Sequence, residues 1–445
     1  MSLPRYSKYK DSDVEWLGEV PSHWEVLSIK RLSPVQRGAS PRPIDDPKYF
    51  DEEGEYAWVR IADVSASNGV LTGTTQRLSE LGSNLSVKLR PGELFVSIAG
   101  TVGKPCVTAI KACIHDGFVY FPNLKIPPQF LFRIFEAGLC YSGLGKWGTQ
   151  LNLNTDTIGS IKIALPPVNE LTLVLDFIIR ETSKIDALIA EQERLLALLT
   201  EKRQATISHA VTRGLNPDAP TKDSGVAWLG EVPAHWSVAP LACRYNVQLG
   251  KMLDSAKITG ANLRRYLRVL DVQWGDINTD DLPFMDFDED AREKFRLSPG
   301  DILVNEGGSY PGRAAIWTGA LDECYYQKAL HRLRPYSAQL DVSKFFYYVL
   351  FWAAHQGVFV YGGNETTIEH LPAERLRRYR FAFPPLDEQL QIATFLNTEI
   401  AKLDALKTEA ERAIDLLKER RSALIAAAVT GKIDVRNAVP QELAA

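Results

Sequence analysis

The sequence is short of the residues that do most metal and redox chemistry: five cysteines, seven histidines and three methionines among 445 residues. Cys106, Cys113, Cys140, Cys243 and Cys324 show no Cys-x-x-Cys spacing, and with the histidines they make no zinc pattern. Their odd number fits reduced thiols better than a disulfide framework. No Gly-x4-Gly-Lys-Ser/Thr phosphate loop is present, because Gly100-Thr-Val-Gly-Lys-Pro105 has the wrong spacing and lacks the hydroxyl that would hold magnesium. His-Glu-x-x-His helices and Gly-x-Ser-x-Gly elbows are missing too. The Pro-Pro pairs in Leu165–Val168 and Phe383–Leu386 lack the Asn or Asp and the aromatic with which an amino-methyltransferase loop holds a flipped base. The longest apolar run, Phe345–Ala354, is half of the ~20 residues needed to cross a bilayer, and MSLPRYSKYKDSD has no apolar core of a secretory signal. A cytoplasmic protein with no membrane partner is therefore expected. Excess charge is also lacking. With 51 basic against 55 acidic residues the net charge is −4, which leaves any field for nucleic acid to a local basic face.

What is present is a repeat. Residues 10–24 read KDSDVEWLGEVPSHW and residues 222–236 read KDSGVAWLGEVPAHW, with twelve of fifteen positions identical at an offset of 212. Solenoid units are a few tens of residues long, so this period means two copies of one large module. The correspondence continues. Trp58–Val64 answers Tyr266–Val272, each with strand character, and Leu89–Val96 answers Leu297–Val304, each a Pro-Gly turn feeding a strand. Gly103-Lys104 answers Gly312-Arg313, and Ile161–Pro167 answers Tyr379–Pro385, a strand stopped by two prolines. Between these anchors Gly38–Tyr56 and Gly250–Arg265 share almost nothing.

Each Pro-Pro stop is followed by 42 residues without proline or glycine, Glu170–Val211 and Glu388–Val429, with Gly214 and Gly431 as stops. Ile178, Ile185, Leu188, Leu195 and Leu199 in the first, and Leu396, Leu403, Leu406, Ala413, Leu417 and Leu424 in the second, fit heptad spacing. Each segment would form a rod of about 63 Å. Because the first leads from one module to the next and the second leads back, the two are expected to pair antiparallel, with residues 1–10 near residues 438–445. The fold class that follows is α+β: two globular mixed domains separated by a long antiparallel two-helix coiled coil with a pseudo-two-fold internal repeat. The expected boundaries are 1–168 and 215–386 for the globular domains, 169–214 and 387–431 for the helices, and 432–445 for a tail.

The doubled series of Tyr/Thr-Lys-Asp-Ser…Trp-Leu-Gly-Glu-Val-Pro-x-His-Trp, Arg-x-x-Asp-Val, Pro-Gly-Asp/Glu, Pro-Pro-x-x-Glu and long helix resembles the specificity subunit of Type I restriction–modification systems, over nearly the whole chain. The resemblance implies two target-recognition domains that each read half of a bipartite site on double-stranded DNA. It implies helices that dock two methyltransferase (modification) subunits, with restriction/translocase subunits as further partners. It also implies a non-catalytic chain without a cofactor of its own, S-adenosylmethionine, ATP and magnesium belonging to the partners. The rival reading is a two-fold adaptor that binds only proteins.

The repeat sorts the candidate residues. Residues shared by both copies cannot carry a difference between half-sites, so they should be scaffold or phosphate contacts. Arg60/Arg268 and Asp63/Asp271, taken as strand residues, are expected to pair internally, and the Trp and His pairs to anchor each domain at a helix end. Lys104 and Arg313, in glycine-rich loops, are candidate phosphate contacts. Base readout should fall to the divergent loops: Arg37, Ser40, Arg42, Lys146, Trp147, Thr149, Gln150 and Asn152 in the first copy, and Lys251, Arg264, Arg265, Asn305, Ser309, Tyr310, Tyr361 and Asn364 in the second. The acidic run Asp286–Asp290 is read as a solvated loop, and Glu374–Arg380 as the alternating exposure of a strand.

Overall fold

The computed structural model describes residues 4–144, 153–252, 260–308, 311–359 and 370–438. It divides into two compact units, residues 1–193 with 411–445, and residues 194–410, so the division falls inside both long helices. Those helices run Val168–Arg213 and Leu386–Val429. Among the described residues no helix is long and apolar enough to cross a membrane.

In the first unit, a ribbon pairs Tyr9–Asp11 with Glu19–Pro21, and Glu25–Ser28 pairs with Lys162–Leu165 just before the Pro-Pro stop. A five-stranded sheet follows the order Gln36–Arg37, Phe118–Tyr120, Leu94–Ser97, Pro105–Thr108, Val70–Leu71. A four-stranded sheet follows Gln76–Leu78, Tyr56–Val59, Ala112–Ile114, Val87–Leu89. In the second unit the ribbon pairs Thr221–Asp223 with Glu231–Pro233, and Ser237–Pro240 pairs with Arg380–Phe383. Its sheets are Tyr245–Leu249, Leu330–Pro335, Ile302–Asn305, Ala314–Ile316, and Phe284–Asp286, Leu263–Leu267, Tyr325–Tyr326. The ribbon register is the same in both copies: Tyr9 opposes Pro21 as Thr221 opposes Pro233. The mixed architecture is the expected one.

Helix direction is legible inside each unit. In the first, Leu171, Val174, Phe177 and Ile178 from the start of the first helix share a core with Ile425, Ala428 and Val429 from the end of the second. In the other, Ile207, Ala210 and Val211 from the end of the first share a core with Ile392, Ala393 and Leu396 from the start of the second. The pair is antiparallel in each. Within the first unit the Asp434 amide donates to the Pro4 carbonyl at 2.8 Å, while residues 439–445 of the expected contact between the termini lie outside the described residues.

The repeated Trp-rich segment explains how a helix end is held. Trp24 and Trp236 are fully buried. Trp24 donates from Nε1 to Glu170 Oε1 at 3.0 Å, and His23 Nε2 lies 2.7 Å from Glu170 Oε2. Trp236 and His235 treat Glu388 the same way, at 3.0 and 2.7 Å. Both glutamates sit in the first turn of a long helix, where a carboxylate also complements the helix dipole. The first copy adds Tyr6, whose hydroxyl donates to Glu170 Oε1; burial and then that carboxylate push its phenol well above its ordinary range, so it remains a donor. The same tryptophans receive the end of the other helix. Gly431 (φ +69°) would place a Cβ 2.4 Å from Pro21, and Gly214 (φ +76°) one 2.9 Å from Glu388. Only glycine meets both the backbone and the space there.

Four sequence readings need correction. Ile178, Ile185, Leu199, Leu396 and Leu403 are buried, but Leu188, Leu195 and Leu406 are exposed, while Ala410, Ile414 and Ile425 are buried in the second helix. Heptad spacing puts leucines on a common side without saying that a partner covers it. Arg60 and Arg268 do not lie within strands: each is the N-cap of a short helix, Ile61–Ala66 or Val269–Asp271, and the acid three residues on accepts the cap's backbone N–H. Asp286–Asp290 is no plain loop, since Asp288 caps the helix Glu289–Phe295 and Asp286 accepts the Gly260 and Asn262 amides. Residues Ala373–Arg378 are helical, with Arg375, Arg377 and Arg378 in the last turn where cations suit the dipole.

Candidate nucleic-acid interface

Each divergent loop leaves the sheet at a glycine. A Cβ on Gly38 would lie 2.2 Å from the His115 carbonyl oxygen, and one on Gly250 2.2 Å from that of Gln327. Two hydrogen bonds repeat around them. The amides of Gly38 and Gly250 donate to Phe118 and Leu330, and those of Ala39 and Lys251 donate to Ile114 and Tyr326. The loops therefore start from one fixed point in both copies, against the turns His115–Gly117 and Gln327–Ala329, and differ only beyond it. Sequence reading saw the divergence and missed the glycine, although the offset of 212 marks it.

In the first copy the structure brings Arg37, Ser40 and Arg42 together on Asp116. Arg37 donates from Nε to the Asp116 carbonyl, Ser40 Oγ to Oδ1 at 3.1 Å and Arg42 Nη2 to Oδ2 at 3.0 Å. The Arg42 side chain is 71% exposed, so the pair is solvent-screened and adds little stability, of order 0–1 kcal/mol. What it fixes is direction. Beside it, His115 packs on Trp58 and Phe118 and accepts the Gly117 amide at Nδ1, 2.8 Å away. Burial lowers its pKa, in keeping with a neutral ring.

The second copy arranges its candidates differently. Lys251 donates to the Asp286 carbonyl at 2.5 Å and lies over the Phe287 ring. Arg264 pairs with Glu323 at 3.1 Å, and Arg265 lies over Phe284. Asn305 ends a strand and is buried, its Nδ2 donating to the Val269 carbonyl at 3.4 Å. Lys104 and Arg313 play matched parts. Lys104 Nζ donates to the Ser65 and Ser67 carbonyls, both at 2.9 Å, closing the end of the Ile61–Ala66 helix. Arg313 Nη1 donates to Gln273 Oε1 at 2.6 Å, two residues past Asp271 as Ser65 is two past Asp63. Lys146, Trp147, Thr149, Gln150, Asn152, Ser309, Tyr310, Tyr361 and Asn364 lie outside the described residues. Among the described residues no group of three or more His, Cys, Asp or Glu is placed to hold a metal ion.

The family described as "Type I restriction modification DNA specificity domain" matches residues 284–415. The chain is 30% identical over 145 residues to the Type I restriction enzyme EcoBI specificity subunit of Escherichia coli, a stretch covering 32% of this chain and 28% of that one. It is 26% identical over 436 residues to the EcoKI specificity subunit of Escherichia coli K12, covering 94% and 90%. It is 22% identical over 446 residues to the putative type I restriction enzyme MjaX specificity subunit of Methanocaldococcus jannaschii, covering 94% and 96%. Among solved structures, a chain from a study of complex assembly and conformational transition in the type I R-M system superposes with a TM-score of 0.70 at 16% identity, covering 92% of this chain and 98% of that one. The HsdS subunit of Thermoanaerobacter tengcongensis gives 0.54 at 16% identity, covering 93% and 98%. These two likenesses concern the fold.

Proposed function

The chain belongs to the specificity subunits of Type I restriction–modification systems, and from that premise we propose that it reads a bipartite double-stranded DNA target, one half-site per globular domain. One observation carries the reading: the same scaffold occurs twice, and in both copies the loop that leaves Gly38 or Gly250 starts from identical backbone contacts and then diverges. A shared mount with unlike loops suits two readers of unlike sequence. The mount supplies register and the loops supply base-edge contacts, with arginine suited to guanine and glutamine or asparagine to adenine. Half-sites read from one side of the duplex would lie about one helical turn, ~34 Å, or somewhat more apart.

Catalysis belongs to partners in this reading. Two methyltransferase subunits carrying S-adenosylmethionine flip out the target bases, and restriction/translocase subunits bring the ATP- and magnesium-dependent steps. The exposed leucines of the long helices support docking there. Leu188 and Leu406 each lie 18 residues past the clamped glutamate and are 52% and 53% exposed; Leu198 and Leu416 each lie 28 past it, at 53% and 57%. Large apolar side chains left in water at matched places suit two copies of one partner. Leu188→Arg and Leu406→Arg should each weaken capture of one modification subunit.

The deciding experiment exchanges residues 25–165 for the same segment of a relative and maps methylation. One half-site should change and the other stay. Alteration of both would end the idea of independent readers, and absence of any salt-dependent, sequence-selective DNA binding with partner subunits present would favour a protein-only adaptor.

A further inference from the structure

The turns His115–Gly117 and Gln327–Ala329 occupy one place in the two copies. Each follows a strand that runs parallel to its neighbour, Ala112–Ile114 beside Tyr56–Val59 and Tyr325–Tyr326 beside Leu263–Leu267. Each is closed by the same bond, Phe118 amide to His115 carbonyl at 3.1 Å and Leu330 amide to Gln327 carbonyl at 3.2 Å. Each receives the start of its divergent loop through the bonds of Gly38–Ala39 and Gly250–Lys251. Residue 116 is therefore the structural partner of residue 328. The first is aspartate and the second is lysine.

Their surroundings are opposite as well. The Asp116 carboxylate holds Ser40 and Arg42 of the facing loop, while its main-chain carbonyl accepts from Arg37. Lys328 is exposed, its amide donates to the Lys251 carbonyl at 2.6 Å, and among the described residues no acceptor reaches its ammonium. The next residue, Ala329, has φ +87°, a conformation that a side-chain-bearing residue holds only under strain and that collects at functional sites. The first copy has Gly117 there, without a positive φ, so the two turns differ in backbone at this residue. A buried polar network offers no reason for the charge reversal, since both tips meet solvent.

We propose that this turn is a specificity-determining position: Asp116 is a positioning residue whose carboxylate aims Arg42 at a base of one half-site, and Lys328 itself contacts a base edge of the other. The inference rests on the reading of the chain as a bipartite DNA reader. A carboxylate finds no donor on a phosphate or on the major-groove edge of guanine, but it can hold a guanidinium so that its remaining N–H groups point outward, and a bidentate arginine on guanine discriminates strongly. A lone ammonium can donate directly to guanine O6 and N7.

The test uses the full chain with its modification subunits and a DNA library randomised at each half-site in turn, read by methylation. Asp116→Asn should lower the preference for guanine in the first half-site by roughly tenfold and leave the second unchanged. Arg42→Gln should do the same, and the double variant should lose no more than either alone, because both remove one aimed group. Arg42 is so exposed that its replacement does not threaten folding, which keeps the test alive should Asp116→Asn misfold. Lys328→Gln should change the second half-site only. A wild-type complex without half-site preference would sink the functional reading itself. A selective wild type with variants of unchanged preference would overturn this inference alone. So would additive losses from Asp116→Asn and Arg42→Gln, or a Lys328→Gln complex weakened equally on every sequence.

Discussion

Arg421 in the second long helix donates from Nε to Asp186 in the first at 2.8 Å, and it stands 33 residues past Glu388 while Asp186 stands 16 past Glu170. The second unit sets the equivalent pair with the helices exchanged, but beyond hydrogen-bond distance. Arg203, 33 past Glu170, lies 3.7 Å from Asp404, 16 past Glu388. The two copies elaborate it differently: Arg421 also reaches Glu136 at 3.0 Å, whereas Arg203 lies over the Phe351 ring.

Arg421→Ala is expected to cost about 2 kcal/mol, because it removes a cation shared by Asp186 and half-buried Glu136 and leaves Glu136 with Arg133 alone, while Arg203→Ala should cost about 1 kcal/mol. Urea unfolding of both variants checks this. Equal losses would mean that the third partner contributes nothing.

Glu170 is buried with three side chains around it, whereas Glu388 has two and is more open to water. Glu170→Ala should therefore destabilise by about 3 kcal/mol, leaving the Trp24 N–H and the Tyr6 hydroxyl without an acceptor, and Glu388→Ala by about half as much. Hydrogen exchange can follow each unit separately. A larger loss at Glu388 would contradict the ranking.

Ala329→Gly should stabilise the second unit by about 1 kcal/mol, since glycine accepts φ +87° freely, less the chain entropy it adds to the unfolded state. The denaturation midpoint of that unit should rise. A fall would show that the methyl group packs favourably enough to outweigh the strain.

Acid should loosen the first unit through Asp434. The Arg436 guanidinium, donating to both carboxylate oxygens, holds the Asp434 carboxyl below its ordinary range. A depressed folded value means that its contribution is complete above the unfolded carboxylate range and fades as pH falls through the folded value. Protection of amides around Pro4 and Asp434 should drop below about pH 4, and Asp434→Asn should flatten that dependence. An unchanged slope in the variant would assign the acid sensitivity elsewhere.

The tandem scaffold was readable from sequence because tryptophan, glycine and proline at fixed offsets each answer a local demand: a buried indole, a left-handed helix end, a strand stop. The helix pair was readable from composition and chain order. Its seam was not, because Leu188 and Leu406 obey the heptad as well as Leu403 does and only packing distinguishes them. The capping helices after Val59 and Leu267 carried their signal in the acid three residues past each arginine, which strand-like neighbours masked. Asp116 could not be found at all: it lies more than seventy residues from the arginines it gathers, and nothing about an isolated aspartate in a turn announces a partner.

The first unit contains residues from both ends of the chain. During synthesis its leading residues emerge early, yet Trp24, Leu171 and Phe177 have no cover from Ile425, Val429 or Val435 until some four hundred further residues have followed Trp24. The second unit, continuous from 194 to 410, can be complete by then. A stop codon shortly after residue 410 would thus spare the domain just made and expose the core of the one made first, so that a late truncation is an injury to the beginning of the protein.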